Sequence, residues 1–347
     1  MTPFLPTGSG SVIKVKVRMA HKEKKIAEAL DHIKAAEKYL KTSFFKWKPD
    51  YDSAANEYLK AGVCYRNAKE LEKARDIYVK AAEVQLEMKA LFHAAKAYEQ
   101  AGLISKDMNR LEEAANLMER AGDIFRENGV PDTASLTLEK AAKMIEASKP
   151  DRAIMLYMKA CDVVENEDRP KQAAEVIKKA AGLLVRCERL VGLLSIDLFE
   201  EASKVLQREI DLNSEVENYP TIYKAVLNLV LVHLHKEDYV AADKSYKGAF
   251  NYPGFVESEE ASAVEQLLDA YDQGDNDTLR AVCNLPLFKY QDNQFAKLAR
   301  DLAIPGEQRR KPEAVSGADA GSGSSDAPQG VAEEDEDEED EYAGGLL

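Results

Sequence analysis

The stretch His93-Ala94-Ala95-Lys96-Ala97-Tyr98-Glu99-Gln100-Ala101-Gly102 carries the pattern on which the fold depends: an alanine, an aromatic residue four positions later and another alanine three positions further on. We number these positions 0, +4 and +7, starting from Ala94. They share one face of an α-helix, so the two alanines let a neighbouring helix approach closely while Tyr98 fills the hollow between the helices. The stretch therefore predicts a helix with a face suited to tight helix–helix packing.

The pattern recurs through most of the chain with a period of about 20 residues. The residues at position 0 are Ala35, Ala54, Ala74, Ala94, Ala114, Ala134, Ala153, Ala173, Ala202, Ile222 and Ala242. A period of this length fits one helix and a short turn, and a helix that short depends on its neighbours for stability. We therefore predict an all-α fold, a solenoid of antiparallel helical hairpins similar to tetratricopeptide repeats, which forms a twisted sheet of helices. Such a sheet has two large faces and no deep pocket, which favours binding over catalysis.

One step of the repeat is irregular. Ala173 and Ala202 are 29 residues apart, and the additional residues fall in the apolar segment Leu190–Leu198. Either the helices are longer here, or the segment is an insertion between two regular helices. The sequence leaves both interpretations open.

Changes in composition divide the chain into four parts. Residues 1–20 predict a disordered N-terminal extension, and residues 21–252 predict the helical repeat domain. Asn251-Tyr252-Pro253-Gly254 interrupts the repeat, after which residues 253–304 predict shorter helices in a C-terminal bundle that caps the solenoid. Residues 305–347 are rich in Gly, Ser, Ala and acidic residues, a composition that predicts a disordered acidic tail.

The composition favours a cytosolic protein that is not an enzyme. The sequence has no apolar run long enough to cross a membrane, no recognisable secretion signal, and four cysteines that are far apart. It also lacks nucleotide-binding loops and nucleophile motifs, so we predict no catalytic residue, no cofactor and no metal site. A net charge of −15 without a broad basic face argues against nucleic acid as a partner.

The loop between the first two predicted helices holds three large aromatic residues and two lysines: Phe44, Phe45, Lys46, Trp47 and Lys48. Pro49 removes a backbone donor and disfavours helix at the residue before it, which is typical of a loop. Loops lie at the protein surface, where apolar side chains of this size need a partner. Either these side chains fold back onto the first helices, or they contact something apolar outside the protein.

Four stretches give the chain a resemblance to a known family: Tyr39–Asp52 around the aromatic loop, His93–Gly102 in the repeat, Val232–His235, and the acidic ending Glu339–Leu346. Together they resemble the gamma type of the soluble NSF attachment protein (SNAP) family, from about Met19 to Leu347. The apolar segment Leu190–Leu198 departs from the family pattern, and residues 1–18 fall outside the resemblance.

The resemblance implies a cytoplasmic adaptor that is peripherally associated with membranes. Family members bind four-helix SNARE bundles along one face of the helical sheet. They recruit the hexameric AAA ATPase NSF, which disassembles the bundle in vesicle trafficking and membrane fusion. The resemblance assigns membrane contact to the aromatic loop, that is, to Phe44, Phe45, Lys46, Trp47 and Lys48. It assigns contact with the ATPase to the C-terminal end, including Glu339, Asp340, Glu341, Leu346 and Leu347.

Other functions remain open at this point. A general helical-repeat scaffold without a membrane role would bury the aromatic loop, and a helical subunit of a catalytic complex would leave the activity to its partner. The run of nine carboxylates in residues 333–341 is also common in tails that only improve solubility. Since the sequence does not tell which face of the helical sheet is which, the lysines and arginines that would meet an acidic SNARE bundle stay unassigned.

Overall fold

The computed structural model describes residues 9–42, 47–191 and 198–305. In these ranges the chain consists of helices and turns, without a β-strand. The helices of the repeat are α1 (Ser9–Leu40), α2 (Tyr51–Asn67), α3 (Leu71–Glu87), α4 (Leu91–Asp107), α5 (Leu111–Glu127), α6 (Pro131–Ile145), α7 (Pro150–Glu165), α8 (Pro170–Val191), α9 (Leu198–Glu215), α10 (Tyr219–His235) and α11 (Tyr239–Gly248). A short 3₁₀ helix, Ala249–Asn251, follows, and then come α12 (Glu259–Gln273), α13 (Asn276–Cys283), α14 (Pro286–Lys289) and α15 (Asn293–Asp301).

Each helix from α2 to α10 packs against the helix before it and the helix after it. Turns of three or four residues join α2 through α8, which makes neighbouring helices antiparallel. Stacking of this kind, in which each unit contacts only its neighbours in the repeat, defines a solenoid. The predicted all-α solenoid of helical hairpins is confirmed.

The close approach between neighbouring helices depends on a small residue at position +8, which the sequence analysis did not single out. Gly62, Gly102 and Gly122 occupy this position, and each is covered by the +4 side chain of the next helix. A Cβ atom at Gly62 would lie 2.9 Å from the ring of Tyr78, and one at Gly122 would lie 2.8 Å from Cγ of Leu138. Contacts this short leave no room for a methyl group, so the glycines set the distance between the helices.

We expect the substitution Gly122→Ala to lower the free energy of unfolding by about 1–3 kcal/mol, because the added methyl group overpacks the contact with Leu138. The measurement is urea unfolding of the full chain, followed by circular dichroism.

The matched control is Gly182→Ala, a second buried helical glycine, where an added Cβ would meet no atom closer than 3.6 Å. Removing a helical glycine stabilises by about 0.5–1 kcal/mol when there is room for the methyl group. Equal unfolding midpoints for the two variants would contradict the packing argument.

The turns of the repeat also share one backbone geometry. In most of these turns, the second-to-last turn residue has a positive φ angle, between 54° and 76°. The residues with this geometry are Lys69, Lys89, Asn109, Gly129, Asp168, Glu217 and Glu237. The N–H of the following residue bonds back to the helix five residues earlier, as from Glu70 to the carbonyl of Tyr65 at 3.0 Å. This is the hydrogen bond of a Schellman turn, and only one of the seven residues is the glycine that such a turn favours.

Two features of the ends of helices differ from the simple repeat. Helix α1 begins at Ser9 and has 32 residues, so residues 9–20 are helical, whereas the sequence predicted a disordered extension there. At the irregular step, α8 has 22 residues and continues to Val191, and α9 begins at Leu198. Longer helices therefore account for part of the apolar segment Leu190–Leu198; residues 192–197 lie outside the described residues.

The C-terminal helices fold back over the repeat. Helix α12 packs on α10 and α11, whereas α15 packs on α8 and α10. Three phenylalanines of this group, Phe255, Phe288 and Phe295, are at most 1% exposed. Polar contacts add to the attachment: Arg189 pairs with Asp301, and Nε2 of His235 lies 2.8 Å from the carbonyl oxygen of Leu298. The C-terminal helices thus cover the α8–α10 part of the solenoid in addition to its end.

Candidate functional site

Ion pairs connect helices that are two apart in the sequence and so place odd-numbered and even-numbered helices in separate layers. In the odd-numbered layer, Arg75 of α3 lies 2.6 Å from Glu113 of α5. Lys159 of α7 lies 2.9 Å from Glu119 of α5. The pairs Arg152–Glu119 and Arg208–Asp162 follow the same scheme. These basic side chains are therefore engaged by carboxylates of the protein itself.

The even-numbered layer contains similar pairs but also a cleft with an excess of positive charge, which we call the basic cleft. It has a volume of about 460 Å³ and is lined by α6, α8, Tyr157 of α7, and residues 292–294 at the start of α15. Five basic residues line it, Lys140, Lys143, Lys178, Lys179 and Arg186, against three carboxylates, Glu139, Glu146 and Asp292. The cleft therefore carries a surplus of two positive charges on a protein whose net charge is −15.

Two lysines of the basic cleft are available for a partner. Lys140 lies 3.5 Å from the carboxylate of Glu99 in α4. Arg186 lies 3.6 Å from the carboxylate of Glu146, the residue after α6, and Lys179 pairs with Glu139. Lys143 and Lys178 are exposed and form no ion pair within the part of the chain that the structure describes. Exposed cations without internal partners, next to partly apolar walls such as Leu136, fit the carboxylates of an acidic helical surface.

Three of the four cysteines, Cys161, Cys187 and Cys283, are buried, and Cys64 is partly buried. Burial raises the pKa of the Cys161 and Cys283 thiols to about 12, so both stay protonated and weakly nucleophilic at neutral pH. Burial lowers the pKa of His233. Among the described residues there is no cluster of three or more His, Cys, Asp or Glu side chains that could hold a metal ion.

The aromatic loop lies partly outside the described residues, which include Trp47 and Lys48 but not Phe44, Phe45 or Lys46. Trp47 is 87% exposed, and Lys48 is exposed. Both ends of the loop are anchored: the N–H of Asp50 donates to the carbonyl of Tyr39 at 3.0 Å, and the Asp50 carboxylate caps α2. The indole is therefore held at the surface, at the turn between α1 and α2.

The predicted ATPase-contacting residues Glu339, Asp340, Glu341, Leu346 and Leu347 all lie outside the described residues. Their assignment stays a prediction. The lysines of the basic cleft, in contrast, were missed by the sequence analysis. The position of each lysine within its repeat could be read from the sequence: Lys143 is at +9 and Lys178 at +5. These positions indicate a shared cleft only when it is known that α6 and α8 lie in the same layer.

Residues 27–292 match the model of the family described as "Soluble NSF attachment protein, SNAP". The chain belongs to the SNAP family. It is 30% identical over 283 residues to the gamma-soluble NSF attachment protein of Dictyostelium discoideum, an alignment that covers 82% of this chain and 85% of that protein. A second relative, the gamma-soluble NSF attachment protein of Arabidopsis thaliana, is 27% identical over 162 residues, which cover 47% of this chain and 53% of the relative.

Among solved structures, the chain is similar to BtubC (BKLC) from P. vanneervenii, with 16% identity and a TM-score of 0.32 over 68% of this chain and 92% of that one. Similarity at this level carries no argument about function, and the assignment of the fold rests on the helices of the chain itself. In the ranges that the structure describes, no helix is both long enough and apolar enough to cross a bilayer.

Proposed function

We propose that this SNAP-family chain is a peripheral membrane adaptor. It binds SNARE four-helix bundles, recruits the hexameric AAA ATPase NSF, and stimulates it during disassembly of the bundle in vesicle trafficking and membrane fusion. The family match over residues 27–292 carries the proposal. The chain itself performs no catalytic step, since its role is to position the bundle relative to the ATPase.

The basic cleft supports the SNARE part of the proposal. SNARE bundles are acidic, and the basic cleft of the even-numbered layer has a surplus of two positive charges, with Lys143 and Lys178 exposed and in no ion pair within the described part of the chain. In the odd-numbered layer, by contrast, Arg75, Lys159 and Arg208 are engaged by carboxylates of the protein itself. Charges of this kind attract and orient a partner more than they determine the final affinity. Their contribution also decreases with ionic strength. We therefore place the bundle against the even-numbered helices around α6 and α8.

We expect the double substitution Lys143→Glu/Lys178→Glu to weaken binding to a soluble SNARE bundle at least about tenfold at low salt, which is about 1.4 kcal/mol. The reason is that each substitution replaces an attraction between a lysine and the acidic SNARE bundle with a repulsion between two negative charges. Fluorescence anisotropy of a labelled bundle, titrated at two ionic strengths, measures the effect.

The matched control is Lys80→Glu/Lys244→Glu, which changes the net charge equally at two exposed lysines on odd-numbered helices. This control is expected to retain nearly normal affinity. Similar losses in both double variants would show that net charge alone matters and would contradict the placement at the cleft.

The aromatic loop supports the membrane part of the proposal, because Trp47 is exposed beside an exposed lysine. Full burial of a large apolar side chain is worth about 1.5–3 kcal/mol. Partial insertion of Phe44, Phe45 and Trp47 would supply about 5 kcal/mol, and a lysine near anionic lipid about 1 kcal/mol more. That corresponds to weak, reversible attachment, which several adaptors on one bundle would strengthen by avidity.

Replacing Phe44, Phe45 and Trp47 with Ser is expected to reduce flotation with anionic liposomes severalfold while binding to soluble SNARE bundles is unchanged. Tyr290→Ser is the control, because Tyr290 is equally exposed, at 87%, but lies in the C-terminal helices. Unchanged flotation of the triple variant would remove the loop from the proposal.

The C-terminal end completes the proposal as the contact for the ATPase. The carboxylates Glu339, Asp340 and Glu341 would steer the tail to a basic surface of NSF, and Leu346 and Leu347 would provide the apolar anchor.

Deleting Tyr342–Leu347 is expected to reduce stimulation of ATP hydrolysis while SNARE binding persists, because the apolar anchor is lost but the helical repeat is intact. The assay is NSF-dependent phosphate release with preassembled bundles. A deletion of residues 317–322 shortens the tail by the same length and should stimulate normally. Full stimulation by the chain without Tyr342–Leu347 would argue against this role.

A further inference from the structure

The basic cleft is open because α8 has no side chain at position +9. The even-numbered helices α2, α4 and α6 carry Val63, Leu103 and Lys143 at this position, whereas α8 carries Gly182. Among the described residues outside the adjoining turns of α8, a Cβ atom added to Gly182 would lie within 4 Å only of the Asp292 carboxyl group, whose nearest oxygen is at 3.6 Å. The missing side chain therefore leaves space between α6, α8 and the start of α15.

The three carboxylates that line the cleft have partners within the protein. The pairs are Glu139 with Lys179, Glu146 with Arg186 and the hydroxyl of Tyr157, and Asp292 with the N–H of Gln294 at the start of α15. Lys140 lies 3.5 Å from the carboxylate of Glu99 in α4. The ion pairs of the described residues thus leave Lys143 and Lys178 uncompensated.

The position of these two lysines suits one small ligand. Lys143 lines the cleft from α6 and Lys178 from α8, and both are exposed. A single ligand between the two helices can therefore contact both ammonium groups. The cleft has a volume of about 460 Å³, within the range of about 300–1,000 Å³ that is usual for small-molecule sites. A partner helix is about 10–12 Å wide, so a helical bundle could place only individual side chains inside the cleft.

The charge of the cleft indicates the class of ligand. Its surplus of two positive charges is twice what one carboxylate compensates, whereas a phosphate monoester carries about −1.5 to −2 charges at neutral pH. The ester also has three strong acceptor oxygens, and lysine is a common partner of phosphate. Asn293 and Gln294 line the cleft and add amide donors that do not change its charge. A dianionic phosphate group thus matches the cleft better than a carboxylate.

A second cleft of similar size lacks this excess of basic residues. It lies between α9, α10 and α11, has a volume of about 400 Å³, and has Ile210, Val226 and Leu229 in its walls. Of its described lining residues, Lys244 is the single lysine, and Gly248 of α11 also lines it. The concentration of lysines is therefore a property of the basic cleft and not of every gap between helices of one layer.

We propose that the basic cleft binds a small molecule that carries a phosphate monoester, with the phosphate held between Lys143 and Lys178. Soluble inositol phosphates and the headgroups of phosphoinositide lipids share this chemistry. A bound phosphate would compete with an acidic SNARE bundle for the same two lysines, and this consequence alone rests on the proposed function.

Isothermal titration calorimetry of the full chain with inositol trisphosphate, at low ionic strength and without a SNARE bundle, tests the proposal. Lys143→Gln and Lys178→Gln should each weaken binding at least about tenfold, because a hydrogen bond to a charged group contributes a factor of about ten or more. Gly182→Val should weaken binding at least as much, since it fills the cleft without changing any charge. Valine is also the residue that α2 carries at this position.

The second cleft provides the matched controls. Lys244→Gln removes a lysine that lines a cleft of similar size, and Gly248→Val adds a side chain at a helical glycine where an added Cβ would have no atom of the described residues within 4 Å. Both variants should bind inositol trisphosphate as the wild-type chain does. Circular dichroism of every variant shows whether the helical repeat is intact.

Flotation with vesicles distinguishes the two sources of the phosphate. Vesicles with phosphatidylinositol bisphosphate are compared with phosphatidylserine vesicles of equal total charge. If Gly182→Val also removes a preference for the bisphosphate vesicles, the ligand is a lipid headgroup. If the variant loses only the calorimetric binding, the ligand is a soluble phosphate.

Two results would overturn the proposal: no binding of inositol trisphosphate to the wild-type chain, or wild-type affinity in a correctly folded Gly182→Val variant. If the valine variant does not fold, wild-type affinity in both Lys143→Gln and Lys178→Gln overturns it instead. No bundle is present in the titration, so a failure of the proposed SNARE placement would leave this result unchanged.

Discussion

The structure depends on how closely neighbouring helices approach one another. Alanine at positions 0 and +7 and glycine or another small residue at +8 bring the helices together until the +4 side chain of one helix rests on the backbone of the helix before it. Because neighbouring helices are this close, helices two apart in the sequence are also near enough for long side chains to meet. Arg75 of α3 can therefore pair with Glu113 of α5. The ion pairs between helices two apart therefore depend on the close packing of these small residues.

The regular part of this arrangement could be predicted from the sequence because it is local and repeated. A face defined by Ala94, Tyr98 and Ala101 requires only helical periodicity, and ten further copies of the face define a solenoid. The glycine at +8 was missed because its role is visible only when the next helix is in place. Residues 9–20 were predicted to be disordered since they contain no copy of the repeat, although α1 extends through them.

The functional surfaces were less predictable for a different reason. A lysine in the sequence does not reveal whether a carboxylate two helices away already pairs with it. Lys159 and Lys178 have similar local surroundings in the sequence, but the first is engaged by Glu119 and the second is free for a partner. The position of Asp292, which faces Gly182 of α8 in the basic cleft, depends on the non-local return of α15 to α8 and could not be predicted from local sequence.

The return of α15 to α8 also determines how the protein carries mechanical load. In a solenoid whose units contact only their neighbours, a force applied at one end removes the terminal helix first and then the others in turn. Here α15 is attached to α8 through Arg189 and Asp301, three helices before the end of the repeat. A pull on the chain beyond residue 305 therefore reaches α8 directly, and α9, α10 and α11 are bridged rather than peeled away one by one.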